Sequence, residues 1–313
     1  MKYYIGVDGG ASKTAAIVID ENGDAHGRGL AGPSNHLRVG IEEATRNIER
    51  AVNKALVEAG VALRDVEYAY CGIAGADHPV HRQKVIDSLR VFFPRGNFIV
   101  DTDARIALTA GVGFGAGIVI IAGTGSVAFG RNAAGDEARA GGWGPTLGDE
   151  GSGFWIAREG LSAVVRSHDG RGFATGMTAV LCEQYDMCAP EDLPKFVYAT
   201  TTQADDIARY GKIVVESAAN GDEVAHDILA RAGSELAECV LAVARKLHMT
   251  DTEFSVAHVG GAFHAGELLL NPMRLRLNRD APGAMLITAR DEPVTGAARM
   301  AMQAARAPRA GRG

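Results

Sequence analysis

Asp8 closes the first strand-like run, YYIGVD, and leads directly into the glycine turn GGASKT. Successive backbone N–H groups in such a turn, here from Gly9 and Gly10 through Ser12, Lys13 and Thr14, can cradle phosphate oxygens. Asp8, at the strand end, is a candidate to hold Mg2+ directly or through water. The stretch is not a Walker A loop, because the G-x-x-x-x-G-K-[ST] spacing fails and a strand follows instead of a helix. A second turn, AGTGS, places Gly123, Thr124 and Gly125 in the same context after a buried-type strand. Two phosphate-type turns at equivalent points of a repeat support each other more than two isolated matches would. A third, VGGAF, sets Gly260 and Gly261 between a strand and a helix. Close strand packing at a helix entry would also account for it.

Transfer of a γ-phosphoryl group to an alcohol needs positioning, charge neutralisation and a carboxylate to take the hydroxyl proton. The stretch DTDA offers Asp103 just past the strand NFIVD, with Asp101 two residues earlier as the competing base. A solvated strand-end aspartate is the bland alternative for either. Residues 141–155, GGWGPTLGDEGSGFW, hold six glycines and both tryptophans of the chain. Planar hydrogen-bonding groups and backbone brought close by glycine suit a sugar. The block supplies them through Asp149, Glu150 and the backbone its glycines expose, while Trp155 reads as core. GDEGS also fits a helix N-terminus, where an acidic residue complements the dipole. Of the histidines, His36 reads as packed, solvent-facing or assisting a hydroxyl. His78 and His81 carry no metal assignment, and His258 reads as structural.

The elements that must position these residues come in two rounds. The first reads strand, turn, strand, turn, strand, then a helix from about Ile41 to Ala59, where apolar residues recur at helical spacing. A strand in EYAYCGIAG, an amphipathic stretch VHRQKVIDSLRVFF, the strand NFIVD and a helix from Asp103 complete a βββαβαβα order. The second round opens with GAGIVIIAGTGS and the returning strand VAFGRN. It continues with AAGDEARAGG as a connection, helices near 150–167, 173–184, 203–219 and 222–248, the strands EFSVAHV and AMLIT, and a terminal helix EPVTGAARMAMQAAR. The tail APRAGRG reads as frayed. Ligands of open α/β sheets bind beyond the carboxyl ends of the strands, where these glycine turns fall.

The chain has 313 residues, net charge −6, 47% hydrophobic and 22% charged residues. No Lys/Arg run is long enough to track a phosphate backbone, so nucleic acid is not an expected partner. No segment approaches about 18 uninterrupted apolar residues, and no basic-then-apolar leader precedes the first strand, so no membrane is expected and the cytoplasm is the expected location. Cys71, Cys182, Cys188 and Cys239 form no C-x-x-C pair and read as free thiols.

In this order and spacing, DGGASKT, AGTGS and VGGAF resemble the two phosphate motifs and the adenosine motif of the actin, sugar kinase and Hsp70 superfamily. SNH at 34–36, TDA at 102–104, AGTGS and GGWGPTLGDEGSGFWIA are similar, more narrowly, to the N-acetylglucosamine kinases of the BadF/BadG/BcrA/BcrD ATPase family. The resemblance implies an α/β fold of two actin-like, ribonuclease H-like domains with a cleft between them, the second enlarged by helices. Its boundaries would be 1–110 plus 290–313, and 111–289. It implies an ATP- and Mg2+-dependent hexosamine kinase acting on the 6-hydroxyl of N-acetylglucosamine, and a homodimer. Asn35 would contact sugar hydroxyls, Asp103 would be the general base and hold the reacting hydroxyl, and Gly142, Trp143, Gly144 and Asp149 would line the sugar. Ser12 and Thr124 would bind ATP phosphates, with Ala208, Gly260 and Gly261 near the adenosine. GGAS stands where the family has GGGT, and Val127 follows AGTGS where a polar residue is usual, which leaves glucosamine and N-acetylmuramate as alternative sugars. An ATPase that activates a CoA-thioester dehydratase or reductase is the alternative of another class. Those relatives hold an iron–sulfur cluster through cysteines, a set that Cys71 and Cys239 do not readily supply.

Overall fold

The computed structural model describes residues 1–185 and 189–306, so Cys188 and the tail from Ala307 lie outside the described residues. The chain divides into two compact units, Met1–Phe114 together with the segment from Ala289 onward, and Gly115–Thr288.

In the first unit, β1 (Tyr3–Gly9), β2 (Thr14–Asp20), β3 (Ala25–Ala31), β4 (Val66–Ile73) and β5 (Phe98–Asp101) form one sheet in the order β3-β2-β1-β4-β5. β1 runs antiparallel to β2 and parallel to β4, and β5 is parallel to β4. Side chains of β1 alternate between faces, as the pleat requires. Ile5 and Val7 pack with Ile48, Val52, Val85 and Leu89 from the helices Ile41–Ala59 and Pro79–Leu89. Tyr4 packs on the opposite face with Ile106 and Ala298 from the helices Asp103–Val112 and Pro293–Arg306. Each fully buried aliphatic side chain of this kind contributes about 1.5–3 kcal/mol. The terminal helix lies so close to β1 that a Cβ on Gly6 would come within 2.3 Å of Val294 O and Ala298 N.

The second unit repeats the pattern. β6 (Gly117–Ala122), β7 (Ser126–Arg131), β8 (Glu137–Gly141), β9 (Phe254–Val259) and β10 (Ala284–Thr288) pair in the order β10-β9-β6-β7-β8. β6 is antiparallel to β7 and parallel to β9, so β6 corresponds to β1 and β9 to β4. The long helix Glu223–Lys246 packs Ile228, Leu236, Val240 and Val243 with Ile118, Ile120 and Ala128 of the sheet. Helices Gly153–His168, Met177–Gln184 and Gly211–Ala219, with shorter ones, enlarge this unit between β8 and the long helix. The α/β class and its duplicated strand order are therefore present in both units.

Some elements differ from expectation. The connection AAGDEARAGG contains the strand β8, paired to β7 with Val127 opposite Gly141; its small and charged side chains carry little apolar alternation. The expected helix 203–219 is two, Ala204–Ala208 and Gly211–Ala219, broken at Arg209 and Tyr210. The helix expected after VGGAF is Glu267–Asp280, which contains Pro272 and buries Leu269, Met273 and Leu277 along one side. No helix among the described residues is long and apolar enough to cross a membrane. Cys71, Cys182 and Cys239 are free thiols.

Candidate active site

In the first unit, three loops meet at the carboxyl ends of β1, β4 and β5. The turn after β1 closes on itself, with Gly10 N–H donating to Lys13 O at 2.9 Å. Gly10 O in turn accepts from Ser34 N–H and Asn35 N–H, which ties the SNH segment to this turn. Ala74 N–H, just past β4, donates to Gly9 O at 2.8 Å. Ser12 and Lys13 stand exposed at the turn's tip. Thr14 is fully buried, and its hydroxyl donates within reach of Gly32 O (2.7 Å) and Ser34 Oγ (2.8 Å), so it lies under the turn and braces it.

Asn35 caps the short helix His36–Val39 by accepting Leu37 N–H at Oδ1. Gly75 lies against that amide: a Cβ there would come within 2.8 Å of Asn35 Oδ1. His36 is buried behind Asn35, its ring 5.3 Å from that of His81. Neither ring nitrogen of His36 has a partner, nor has His81 Nδ1.

The two aspartates of DTDA have different surroundings. Asp101 is buried and heavily engaged, accepting from Tyr70 OH (2.7 Å), Arg105 Nη1 (2.5 Å) and Thr102 N–H (2.8 Å), with Arg82 Nη2 at 3.7 Å. Thr102 caps the following helix by accepting Arg105 N–H, which makes Asp103 its first residue. Asp103 is only half-buried, and its Oδ1 accepts Ala104 N–H at 2.9 Å. Burial pushes the Asp8 carboxyl up to about 7; the charge of Asp103 adds to the rise, as does Glu292, while Lys13 opposes it. Asp8, Asp103 and Asn35 thus belong to one edge of one sheet.

In the second unit, the turn after β6 is held by the start of the helix Gly153–His168. Gly153 N–H donates to Gly123 O (2.8 Å) and Phe154 N–H to Thr124 O (3.2 Å). Gly260 sits at φ +119° with its Cα against β6, where a Cβ would come within 2.3 Å of Ala122 O, a conformation and a space that only glycine fits. The third glycine turn therefore abuts the second. Nothing lies within 4 Å of a Cβ built on Gly261, and a Cβ on Gly153 would lie 3.8 Å from Ala208 Cβ. Ala208, Gly123, Gly153 and Gly260 accordingly gather at one end of this sheet.

The glycine-tryptophan block wraps round the same turn. Gly141, Gly142 and Gly144 all have positive φ, as does Asp149 at +60°. Arg139 Nη2 donates to Gly142 O at 2.6 Å, and its guanidinium lies 6.0 Å from the centre of the Trp143 ring. Trp143 is 72% exposed, far more than packing would leave an indole, whereas Trp155 is buried against Arg231. Asp149 is buried, and its carboxyl accepts backbone N–H bonds from Ser126 and Gly144. It also packs on the turn itself, since a Cβ on Gly125 would reach within 2.6 Å of Asp149 Oδ2. Burial nevertheless holds Asp149 above the usual carboxylate range. Val127 packs beside Gly142. The sequence reading missed Asp205, whose Oδ1 accepts from Thr124 Oγ1 at 2.6 Å. Its distance along the chain and a pattern that reads as surface helix gave no signal. It missed the Arg139 brace as well, although Gly142 is only three residues on, because Arg139 lies in a stretch read as a plain connection.

The chain is similar along nearly its whole length to known proteins. The model of the BadF/BadG/BcrA/BcrD ATPase family matches residues 5–301. The chain is 33% identical to the N-acetylmuramic acid/N-acetylglucosamine kinase of Clostridium acetobutylicum over 95% of this chain and 97% of that one. It is 30% identical to the N-acetyl-D-glucosamine kinase of Dictyostelium discoideum over 96% and 97% of the two chains. A protein of Chromobacterium violaceum, solved as a structural-genomics target, has 25% identity and a TM-score of 0.75, covering 98% of this chain and 99% of its own. A ROK family glucokinase from Streptomyces griseus, solved with glucose and AMPPNP, shares the fold at 22% identity and a TM-score of 0.64, over 96% and 99% of the two chains.

Proposed function

The chain belongs to the BadF/BadG/BcrA/BcrD ATPase family, and from that premise we propose that it is an ATP-dependent amino-sugar kinase transferring the γ-phosphoryl group to the 6-hydroxyl of N-acetylglucosamine. The observation that carries the reading is the gathering of Asp8, Asn35 and Asp103 at one edge of the first sheet. The same edge of the second sheet gathers its glycine turns, Ala208 and the Trp143 block. The full-length similarity to two amino-sugar kinases adds to it.

In this mechanism Asp103 is the general base. It holds the reacting hydroxyl and takes its proton as the phosphoryl group arrives. Asp101 is unsuited to that work, because Tyr70 and Arg105 already donate to its carboxylate. Asn35, with an NH2 that has no partner among the described residues, and the backbone of Gly142 and Gly144 bind sugar hydroxyls. Trp143 offers its exposed face to the sugar. Asp149 fixes the loop that carries them. The turns at Gly9–Lys13 and Gly123–Gly125 receive the phosphates, and Ala208, Gly260 and Gly261 flank the adenosine.

The donor set around Asp8 fits a divalent cation. A withdrawn carboxylate repelled by a second one gains from a cation beside it, and no cluster of three acidic, histidine or cysteine ligands competes for it among the described residues. Asp8 would hold Mg2+ directly or through water, with its other ligands drawn from phosphate and water, and the ion would neutralise phosphate charge.

A coupled ATP-consumption assay with N-acetylglucosamine, glucosamine, glucose, N-acetylmannosamine and N-acetylmuramate tests the proposal. N-acetylglucosamine should give the highest kcat/KM. N-acetylmuramate is the second candidate, since the Clostridium relative is named for both sugars. ATP consumption indifferent to every sugar would overturn the kinase reading.

A further inference from the structure

Thr124 stands at the centre of the turn Gly123–Gly125, and its hydroxyl has a single proton. That proton is directed at Asp205, with Oγ1 and Oδ1 2.6 Å apart. A hydroxyl donating to a carboxylate makes a short, charge-assisted bond, stronger than one between neutral groups. Phosphate oxygens are also acceptors, so Thr124 cannot donate to a phosphate and to Asp205 at once. The turn's backbone leaves little room for adjustment. Gly123 N–H is bonded to Gly125 O, and the start of the helix Gly153–His168 holds Gly123 O and Thr124 O. What can change is the Thr124 rotamer and the segment that carries Asp205. That segment is a helix of only five residues, Ala204–Ala208, separated from the next by a break at Arg209 and Tyr210. Its far end carries Ala208, beside Gly153.

We infer that Asp205 is a positioning residue of the phosphate turn, a latch that holds the Thr124 hydroxyl proton in the nucleotide-free protein and gives it up when a phosphate oxygen arrives. This rests on the kinase reading, in which Thr124 meets the nucleotide. Two consequences follow. Nucleotide binding is weaker than the turn alone would permit, because a charge-assisted bond has to break. A carboxylate standing beside the turn also disfavours anions until they displace it.

Isothermal titration with ATP in the absence of sugar, together with KM for ATP and for sugar, tests this on Asp205→Asn, Asp205→Glu, Thr124→Val and the double variant Thr124→Val/Asp205→Asn. Asp205→Asn should bind ATP about threefold to tenfold more tightly, as exchanging a charge-assisted acceptor for a neutral amide oxygen implies. KM for ATP should fall by a similar factor, while KM for sugar stays put. Asp205→Glu should return both values towards the parent. In the Thr124→Val background, Asp205→Asn should change ATP affinity less than twofold, because no proton remains to release. Unchanged or weaker ATP binding by Asp205→Asn would overturn the latch. So would an equal gain with and without Thr124, since that would mean simple relief of charge. If Thr124→Val alone leaves ATP binding intact, the fault lies instead with the phosphate role given to Thr124.

Discussion

The carboxyl of Asp8 lies close enough to that of Asp103 for their charges to repel, and this adds to the larger effect of burial in lifting Asp8 to about 7. In the unfolded chain the same group ionises near 3.8. The folded protein therefore binds more protons than the unfolded chain between those values, and it is destabilised as pH rises towards 7. Above about pH 7 the full penalty applies. Asp8→Asn removes it, so the variant should melt at least about 2 °C above the parent at pH 8. That advantage should shrink as pH falls below 7 and vanish near 4. Kinase activity should drop roughly 10- to 100-fold in the same variant, with a raised requirement for Mg2+. Scanning calorimetry at pH 8 showing a lower melting temperature for Asp8→Asn would contradict the account.

Asp101 and Asp103 should separate cleanly on substitution. Asp103→Asn loses a half-buried carboxylate at a helix start, so stability should hold while kcat falls at least about 10²-fold. Asp101→Asn leaves Arg105 and Tyr70 short of a charged acceptor. It should cost about 2–3 kcal/mol of stability, as losing one partner of a buried charged network does. Its purified, folded fraction should retain more activity than Asp103→Asn. Chemical denaturation and steady-state kinetics on the pair check this, and the reverse ranking in kcat would move the base to Asp101.

The split between these two aspartates shows where sequence reading stops. Two carboxylates two residues apart at a strand end look alike in one dimension. What distinguishes them is a tyrosine on β4 and an arginine one helical turn on, and neither spacing advertises the contact. The alternating strands, the glycine turns after β1, β6 and β9 and the helix Ile41–Ala59 were legible because their periodicity and turn chemistry are local. β8 was not, because the Glu137–Gly141 run has small and charged side chains and is held by its pairing with β7. Asp149 was legible as a candidate from its glycine-rich setting. Its bonds to Ser126 and Gly144 depend on a loop returning to the turn it braces.

That brace gives a third prediction. Asp149→Ala removes the acceptor of the Ser126 and Gly144 N–H groups, and leaving the buried Ser126 donor unpaired costs about 1–3 kcal/mol. The loop carrying Gly142, Trp143 and Gly144 should loosen. KM for sugar should rise at least tenfold (about the effect of 1.4 kcal/mol), with a smaller change in KM for ATP. Fluorescence of Trp143, in a Trp155→Phe background, reports loop order directly. An unchanged emission spectrum and sugar KM would show that Asp149 does not hold this loop.

The last prediction concerns His36, which is buried with no partner for either ring nitrogen and faces His81 and Lys84. Burial, followed by the charges of His81 and Lys84, holds it below its usual range, so the fold favours the neutral ring. The unfolded chain takes up a proton near pH 6.5. Stability on this account is full above that value and falls as pH drops through 6.5 towards the lower folded value, because the unfolded state then binds more protons. His36→Phe cannot take that proton and pairs no polar atom, so its loss of melting temperature between pH 7.5 and 5.5 should be smaller than the parent's. Some slope should persist, since burial also lowers His258. His36→Leu serves if the phenyl ring proves too large for the site. An equal slope in both variants and the parent would mean that His36 does not sense acid, and that the unpaired ring nitrogens are met by water instead.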